Sequence, residues 1–289
     1  MTDPAKFFDA YPRFLESSET GPWLDRLNAR YFALIHQNRH LLEGARVLDL
    51  ACHDGRFSFA ALQNGARHVV GIDFKAHLVD AATGHLGAYG VTPDRYTFLA
   101  GDMFDYLEQE RDFDVVLCFG ILYHINEHMR LFDQIAASSP RAILVDTRVS
   151  TLDGAVIELL SPLGKSPPEP GNAVEGHPTR AAFDAMFSSF GWQVQYFDWL
   201  ASGLCGDARM YDYRTGERVS AVIECPEYAV PAEARHAAVQ EVLDKEAERE
   251  NLFMLVANVA RRHDISPQAL RTWVNQAQRR RTREAGFKG

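Results

Sequence analysis

Four short runs place acidic or small residues directly after strand-forming segments. The first, Asp49-Leu50-Ala51-Cys52-His53-Asp54-Gly55-Arg56-Phe57, reads as a strand passing through a tight loop into a helix. Such a loop brings backbone amides and a helix N-terminus close to a ligand, and the small Ala51 and Gly55 stand where approach is closest. A pyrophosphate cradle would want three glycines, and this loop has one, which favours a ligand without a pyrophosphate. Asp73, in Gly71-Ile72-Asp73-Phe74, follows the next strand 24 positions after Asp49. A carboxylate there accepts two hydrogen bonds from a ribose diol, each worth about 1.5–3 kcal/mol. In Gly101-Asp102-Met103, Asp102 can accept from the exocyclic amine of an adenine, with Met103 and Phe74 on its two faces. Phe119-Gly120 completes the set. All four runs fall at the carboxyl ends of strands, where open α/β sheets bind ligands.

Positioning such residues requires a parallel sheet, and the patterning supplies one. β-prone runs at 46–50, 68–72, 96–100, 113–118 and 142–145 alternate with helical runs at 57–63, 75–88, 103–107 and 129–138. Alternation of this kind implies parallel βαβ units, and unbroken apolar strands imply a sheet covered on both faces. Two further strands, at 192–199 and 219–224, follow a helix capped by Thr179 and ended by Gly191. The turn Tyr213-Arg214-Thr215-Gly216 before the last suggests a hairpin-like antiparallel edge. The expectation is an α/β, doubly wound, Rossmann-like, mostly parallel seven-stranded sheet with an antiparallel edge strand. Residues 1–44 form a helical cap, with helical spacing over 6–42 and Gly44 as its stop. The sheet domain spans 45–228 with an aperiodic, Pro/Gly-rich insert at 147–178, and 229–289 is a helical appendage with segments at 232–261 and 267–283.

The run 46–146 resembles the class I S-adenosylmethionine-dependent methyltransferases. The resemblance rests on Asp49-Leu50-Ala51-Cys52-His53-Asp54-Gly55-Arg56-Phe57-Ser58, on Gly71-Ile72-Asp73, and on Cys118-Phe119-Gly120-Ile121-Leu122-Tyr123-His124. It is similar to a subgroup that includes the wobble-uridine carboxymethyl-transfer enzymes and many small-molecule methyltransferases, and extends loosely through His177-Pro178-Thr179-Arg180 and Gly191-Trp192. The resemblance implies S-adenosylmethionine as cofactor and S-adenosylhomocysteine as product. It implies that Asp49, Ala51 and Gly55 surround the methionine moiety, Asp73 the ribose, and Asp102 with Met103 the adenine. Phe119 and Gly120 would line the floor beneath the sulfonium. The chain departs from the usual glycine-rich loop at Ala51 and His53.

On the acceptor side, Tyr123-His124 follows the fourth strand and should face the transferred methyl. A histidine has the intrinsic pKa to take a proton from a hydroxyl or amine at neutral pH. The alternative is that His124 packs beside the cofactor, since methyl transfer also proceeds by positioning alone. Arg30 and Tyr31 can cover the cofactor carboxylate, and Tyr11, Phe14 and Trp23 can wall the acceptor, although helix packing is the commoner role of such aromatics. Asp146, Arg148 and the insert border the same sheet edge. His128 and His177 are weaker candidates. No metal site is expected, because the histidines lack ligand spacing.

Residues 258–274, Asn258 to Val274, resemble a helix–turn–helix, with Val259 and Ala260 packing on Leu270 and Trp273, Ser266 as cap and Pro267 in the first turn. Arg279, Arg280, Arg281, Arg283 and Lys288 follow. Against a nucleic-acid role stand the acidic run 241–250 and a formal net charge of −9, since counterion release needs clustered cations. Packing on the sheet domain or forming a homodimer are the alternatives for these helices. The four scattered cysteines, Cys52, Cys118, Cys205 and Cys225, favour a reducing compartment. The start, Met1-Thr2-Asp3-Pro4, has no secretory pattern, and no apolar run is long enough for a bilayer. A cytoplasmic enzyme with a small-molecule acceptor at oxygen or nitrogen is expected. A tRNA-modifying transferase and a DNA-binding regulator that senses the cofactor are the alternatives.

Overall fold

A computed structural model describes residues 4–16, 23–109, 113–161, 174–226, 230–245 and 251–286. The N-terminal region is a 3-10 segment, Pro4–Ala10, then α1 (Arg13–Glu16), α2 (Leu24–Tyr31), a π-turn at Phe32–His36 and α3 (Arg39–Leu42). The helical expectation over 6–42 therefore resolves into short pieces. Asn38 explains one break, because its side-chain amide donates to the carbonyls of Ala33 and Leu34 at 3.1 and 3.0 Å. Gly44 ends the region at φ +67, a conformation open to glycine.

Then follow β1 (Arg46–Leu50), α4 (Arg56–Gln63), β2 (His68–Asp73), α5 (Ala76–Ala88), β3 (Tyr96–Ala100), α6 (Met103–Leu107), β4 (Val115–Phe119), α7 (His128–Ser138) and β5 (Ala142–Arg148). After them come β6 (Ile157–Leu160), β7 (Glu175–Pro178), α8 (Arg180–Ser189), β8 (Gln193–Tyr196), α9 (Tyr211–Arg214) and β9 (Arg218–Glu224). The main sheet has seven strands in the order β3-β2-β1-β4-β5-β9-β8. The first five are parallel; β9 is antiparallel to both β5 and β8. The antiparallel strand thus lies one place in from the rim.

Strand alternation divides the core into two layers. Leu48, Leu50, Val70, Ile72, Val116, Cys118, Ile143 and Val145 face α7 and α8 through Leu131, Phe132, Ile135, Phe183 and Phe187. Val47, Val69, Val115, Leu117, Phe119 and Leu144 face α2, α4 and α5 through Leu27, Tyr31, Phe59, Leu62 and Leu86. Both faces are covered, as near-continuous apolar strands require.

Two connections differ from the sequence reading. The insert is not structureless where it is described, because β6 and β7 pair antiparallel as a separate two-stranded ribbon. Residues 162–173, with most of the expected prolines, lie outside the described residues. The turn at Tyr213-Arg214-Thr215-Gly216 is not a hairpin: Tyr211–Arg214 is helical, and β8 reaches β9 through a long segment that buries Tyr213.

The C-terminal region forms α10 (Ala232–Lys245), α11 (Leu252–His263) and α12 (Pro267–Gly286). The single helix expected over 232–261 is divided, and Asn251 caps α11 by accepting from Met254 N at 3.2 Å. Val242, Leu255, Val256, Val259, Ala260, Leu270, Trp273 and Val274 share one core, including the Val259/Ala260 to Leu270/Trp273 packing read from the sequence. The Trp273 indole donates to Ser139 Oγ at 3.2 Å, and the Ser266 hydroxyl to the Phe190 carbonyl at 3.4 Å, so these helices dock against the sheet unit behind α7. The end of the acidic run, 246–250, and Lys288 lie outside the described residues.

Candidate active site

The loop between β1 and α4 contains three left-handed residues: Ala51 at φ 56, His53 at φ 53 and Gly55 at φ 76. The first two stand where the resembling family usually has glycine, and non-glycine residues in this region cost of order 1 kcal/mol or more each. Neighbouring bonds over-determine the loop. Asp54 and Arg56, both buried, pair through two bonds of 2.7 Å, and Cys52 N donates to the Ile72 carbonyl at 2.9 Å. Burial alone would raise the Asp54 carboxyl, but the His53 ring 3.3 Å away and the Arg56 guanidinium hold it well below the usual range. Gly55 has no room for a side chain, since a Cβ there would lie 2.9 Å from Ala82 Cβ.

Asp49 lies beneath this loop. It is 2% exposed and accepts from the Ser58 hydroxyl at 2.6 Å. Burial, partly offset by Ser58 and reinforced by Asp73, pushes its pKa up to about 7. It supports the loop from within the core.

Asp73 ends β2. Its two oxygens accept from His53 N and Lys75 N, each at 2.9 Å, so it joins the loop after β1 to its own turn. A carboxylate offers about four acceptor directions, and two are used. Gly101 N donates to the Asp73 carbonyl at 3.0 Å, which brings the next loop alongside. There Asp102 caps α6 through Phe104 N at 2.7 Å and is exposed, with half-buried Met103 beside it. Phe74 stands 57% exposed at the rim. Asp73, Phe74, Gly101, Asp102 and Met103 therefore share the carboxyl rim of β2 and β3.

At the rim of β4, Gly120 adopts φ 82 and its N–H donates to the Asp146 carbonyl at 2.7 Å. The Phe119 ring lies 5.0 Å from that of Phe57, over which the Arg30 guanidinium sits at 5.0 Å. Arg30 donates to Asp146 at 3.1 Å, and its buried Nε has no hydrogen-bond partner among the described residues. Of the other N-terminal candidates, Tyr31 is not at this rim: it stacks on Phe7 at 4.0 Å and bonds Asn64. Tyr11 and Phe14 likewise pack on Phe59 and Tyr89. Their aromatic mass fills the helix cap. Trp23 is 42% exposed.

Asp146 is the centre of a charge network that sequence reading missed. Fully buried, it accepts from Arg30, from Arg218 at 2.6 Å, from Tyr213 at 2.6 Å and from Ser220 at 2.8 Å. Burial would raise its pKa, but Arg30, Arg218 and the two hydroxyls bring it down to about 2. Arg218 also reaches Asp212, which pairs with Arg26. These partners come from α2, α9 and β9, far apart in sequence, and no local spacing announces them.

Tyr123 and His124 follow β4. The guanidinium groups of Arg148 and Arg218 lie 5.5 and 5.6 Å from the Tyr123 ring. His124 Nδ1 lies 3.1 Å from Glu175 Oε1, and His177 Nε2 lies 3.0 Å from Glu175 Oε2. The sequence reading overlooked Glu175. Its signal was the two-residue spacing to His177, which puts both on one face of a strand, but that strand lay in a run read as aperiodic. His128 is buried and hydrogen-bonded to the Leu122 carbonyl at 2.7 Å, a structural role. Among the described residues no group of three or more His, Cys, Asp or Glu could hold a metal ion.

A family model described as a methyltransferase domain matches residues 47–138, from β1 to the end of α7. A second, described as a transposase, matches residues 231–287, the C-terminal helices. The chain is 33% identical over 103 residues to ribosomal RNA large subunit methyltransferase I of Photobacterium profundum, covering 34% of this chain and 25% of that protein. It is 32% identical over 106 residues to a candidate ribosomal RNA large subunit methyltransferase of Methanocaldococcus jannaschii, covering 35% and 26%. It thus spans about a quarter of the length of these curated relatives. A candidate S-adenosylmethionine dependent methyltransferase of Listeria monocytogenes superposes with a TM-score of 0.50 at 14% identity, over 68% of this chain and 98% of that one. That likeness concerns the fold. Residues 47–138 are similar to a methyltransferase domain, and the sheet that carries them is Rossmann-like.

Proposed function

We propose that the protein transfers a methyl group from S-adenosylmethionine to a small-molecule acceptor, at oxygen or nitrogen. The observation that carries this reading is the position of Asp73 at the end of β2, bonded to the loop after β1 and tied to the loop after β3. Ribose, methionine and adenine ends of one ligand would meet groups of suitable chemistry around that carboxylate. Asp73 would hold the ribose diol through its remaining lone pairs. Asp102 would take the adenine amine, with Phe74 and Met103 on the ring faces. Ala51 and Gly55 would let the backbone approach the methionine end, and Arg30, with its unpartnered Nε, would take the carboxylate. Phe119 and Gly120 would form the floor. The bound cofactor supplies an electrophilic methyl on a sulfonium; the chain's own task is to orient the acceptor, exclude water and remove its proton. Tyr123 lines that side, and His124 is the proton acceptor in this reading.

We assign the helical cap to residues 1–44, the methyl-transfer domain to 45–228 and a helical appendage to 229–289. The four cysteines are free and buried, consistent with a cytoplasmic setting, and among the described residues no helix is long and apolar enough to cross a membrane. A homodimer would form through the C-terminal helices, where Leu252, Phe253 and Met254 are exposed at the start of α11.

Calorimetric titration of the full chain with S-adenosylmethionine and S-adenosylhomocysteine tests the reading. Saturable binding of both is expected; folded protein that binds neither overturns it. A second reading, modification of nucleic acid, is favoured by the ribosomal RNA methyltransferase relatives and by the transposase match over the C-terminal helices. A gel-shift series with tRNA and duplex DNA against salt separates the two: affinity that falls steeply as salt rises would support the second. Binding of duplex DNA without methyl transfer would instead support a cofactor-sensing regulator.

A further inference from the structure

We infer that the acceptor carries an anionic group, a carboxylate or a phosphate, and that the Arg148 guanidinium binds it. The inference rests on the methyltransferase reading above and narrows its acceptor class. Arg148 is the last residue of β5 and is exposed at the carboxyl rim, beside the β4 rim that ends in Phe119. Its guanidinium lies 5.5 Å from the Tyr123 ring, in the loop after β4 that forms the acceptor side of the proposed site. A guanidinium resting over a ring keeps its in-plane N–H groups for another partner.

The charges around it leave that partner unfilled. Alternation along β5 puts Asp146 and Arg148 on one face, but Asp146 already accepts from Arg30, Arg218, Tyr213 and Ser220. Directly across the antiparallel pair, the register partner of Arg148 is Arg218. Like charges at such positions destabilise a sheet. Arg218 is neutralised by Asp146 and Asp212, whereas Arg148 has no ion pair or side-chain hydrogen bond among the described residues. Glu175, the acid of the insert strand β7, is engaged by the imidazoles of His124 and His177 at 3.1 and 3.0 Å. Acids outnumber bases 39 to 30 in this chain, so the uncompensated cation does not reflect a shortage of carboxylates.

An anion on the acceptor completes the arrangement. The planar fork of a guanidinium matches two oxygens of a carboxylate or a phosphate at once, so it sets the orientation of the acceptor as well as its position. Orientation is what methyl transfer between two bound molecules needs most. Arg148 holds the acceptor by a group remote from the methylated atom and takes no part in the bond changes.

Titration of the full chain, saturated with S-adenosylhomocysteine at low ionic strength, with benzoate, phenyl phosphate and neutral benzamide tests the inference. Binding is followed by 1H–15N spectra. At least one anion should bind about tenfold or more tighter than benzamide, as expected for charge-assisted bonds, and the tighter of the two identifies the group as carboxylate or phosphate. Arg148→Gln should reduce that anion to the level of benzamide, and Arg148→Lys, which keeps the charge without the fork, should retain part of the preference. The urea midpoint of Arg148→Gln should not fall, because the substitution removes a like charge opposite Arg218; a lower midpoint would make the contact with Tyr123 a structural one and overturn the assignment. Anions that bind no better than benzamide, or equally well to Arg148→Gln, also overturn it and leave the methyltransferase reading intact. Wild-type protein that binds no S-adenosylhomocysteine removes both.

Discussion

The Asp73 carboxylate accepts a hydrogen bond from the backbone N–H of His53 at 2.9 Å, so the acid at the end of β2 supports the strained loop at the end of β1. One side chain therefore shapes the loop and, in the proposed reading, would also hold the ribose. Asp73→Ala should weaken S-adenosylmethionine binding by about 1.5–3 kcal/mol, roughly ten- to a hundredfold, as measured by calorimetry. Unchanged affinity would show that the ribose lies elsewhere.

Asp49 is a buried acid with a raised pKa of about 7, against an unfolded value near 3.8. Between those values the unfolded chain has lost its proton while the folded chain keeps it, so stability falls as pH rises. The contribution is fully present below about pH 4 and gone above about pH 7, a change of about 4 kcal/mol. Asp49→Asn keeps an acceptor for Ser58 and removes the titration. Its urea midpoint should match wild type near pH 4 and exceed it at pH 8. A difference that does not vary with pH would show that Asp49 ionises normally.

Asp146 behaves in the opposite sense. Its folded pKa is depressed to about 2, so its stabilisation is present above the unfolded value and lost as pH falls from about 4 to about 2. That linkage is worth about 2 kcal/mol. Asp146→Asn also leaves Arg30 and Arg218 facing a neutral group, and breaking a buried pair typically costs about 3–5 kcal/mol. The destabilisation, read from urea unfolding, should be largest at neutral pH and shrink toward pH 2. A variant as stable as wild type at pH 7 would mean the two arginines are satisfied elsewhere.

What the sequence made legible was local. The order of strands and helices, the loop at 49–57 and the acids at strand ends could be read because each signal lies within a few residues of itself. Two-residue and 3.6-residue periods survive without tertiary context. The misreadings involve partners distant in the chain. Glu175 acquires meaning only when β7 folds back onto His124, some fifty residues earlier. Asp146 gathers Arg30, Tyr213, Arg218 and Ser220 from three separate elements. Arg30 and Tyr31 adjoin on the helix before the sheet, but consecutive helical residues point about 100° apart, and Tyr31 turns into the aromatic cap. The turn at 213–216 has hairpin chemistry, yet burial of Tyr213 beneath Asp146 makes that segment helical.

Trp273 decides what the C-terminal helices do for the rest of the chain. Its ring lies in the core of α10, α11 and α12, with the Arg235 guanidinium 5.6 Å away. Its indole N–H donates to Ser139 at the end of α7. A helix used only to enter a nucleic-acid groove would tolerate loss of a side chain facing its own sheet unit. Trp273→Ala removes both the packing and the indole bond and should cost about 3–5 kcal/mol, while Trp273→Phe keeps most of the packing and should cost less. Urea unfolding followed by far-UV circular dichroism measures both. If the alanine variant loses less than about 1 kcal/mol, below the range for truncating a buried aromatic, α12 is not part of the folded core and the docking seen behind α7 contributes nothing to stability.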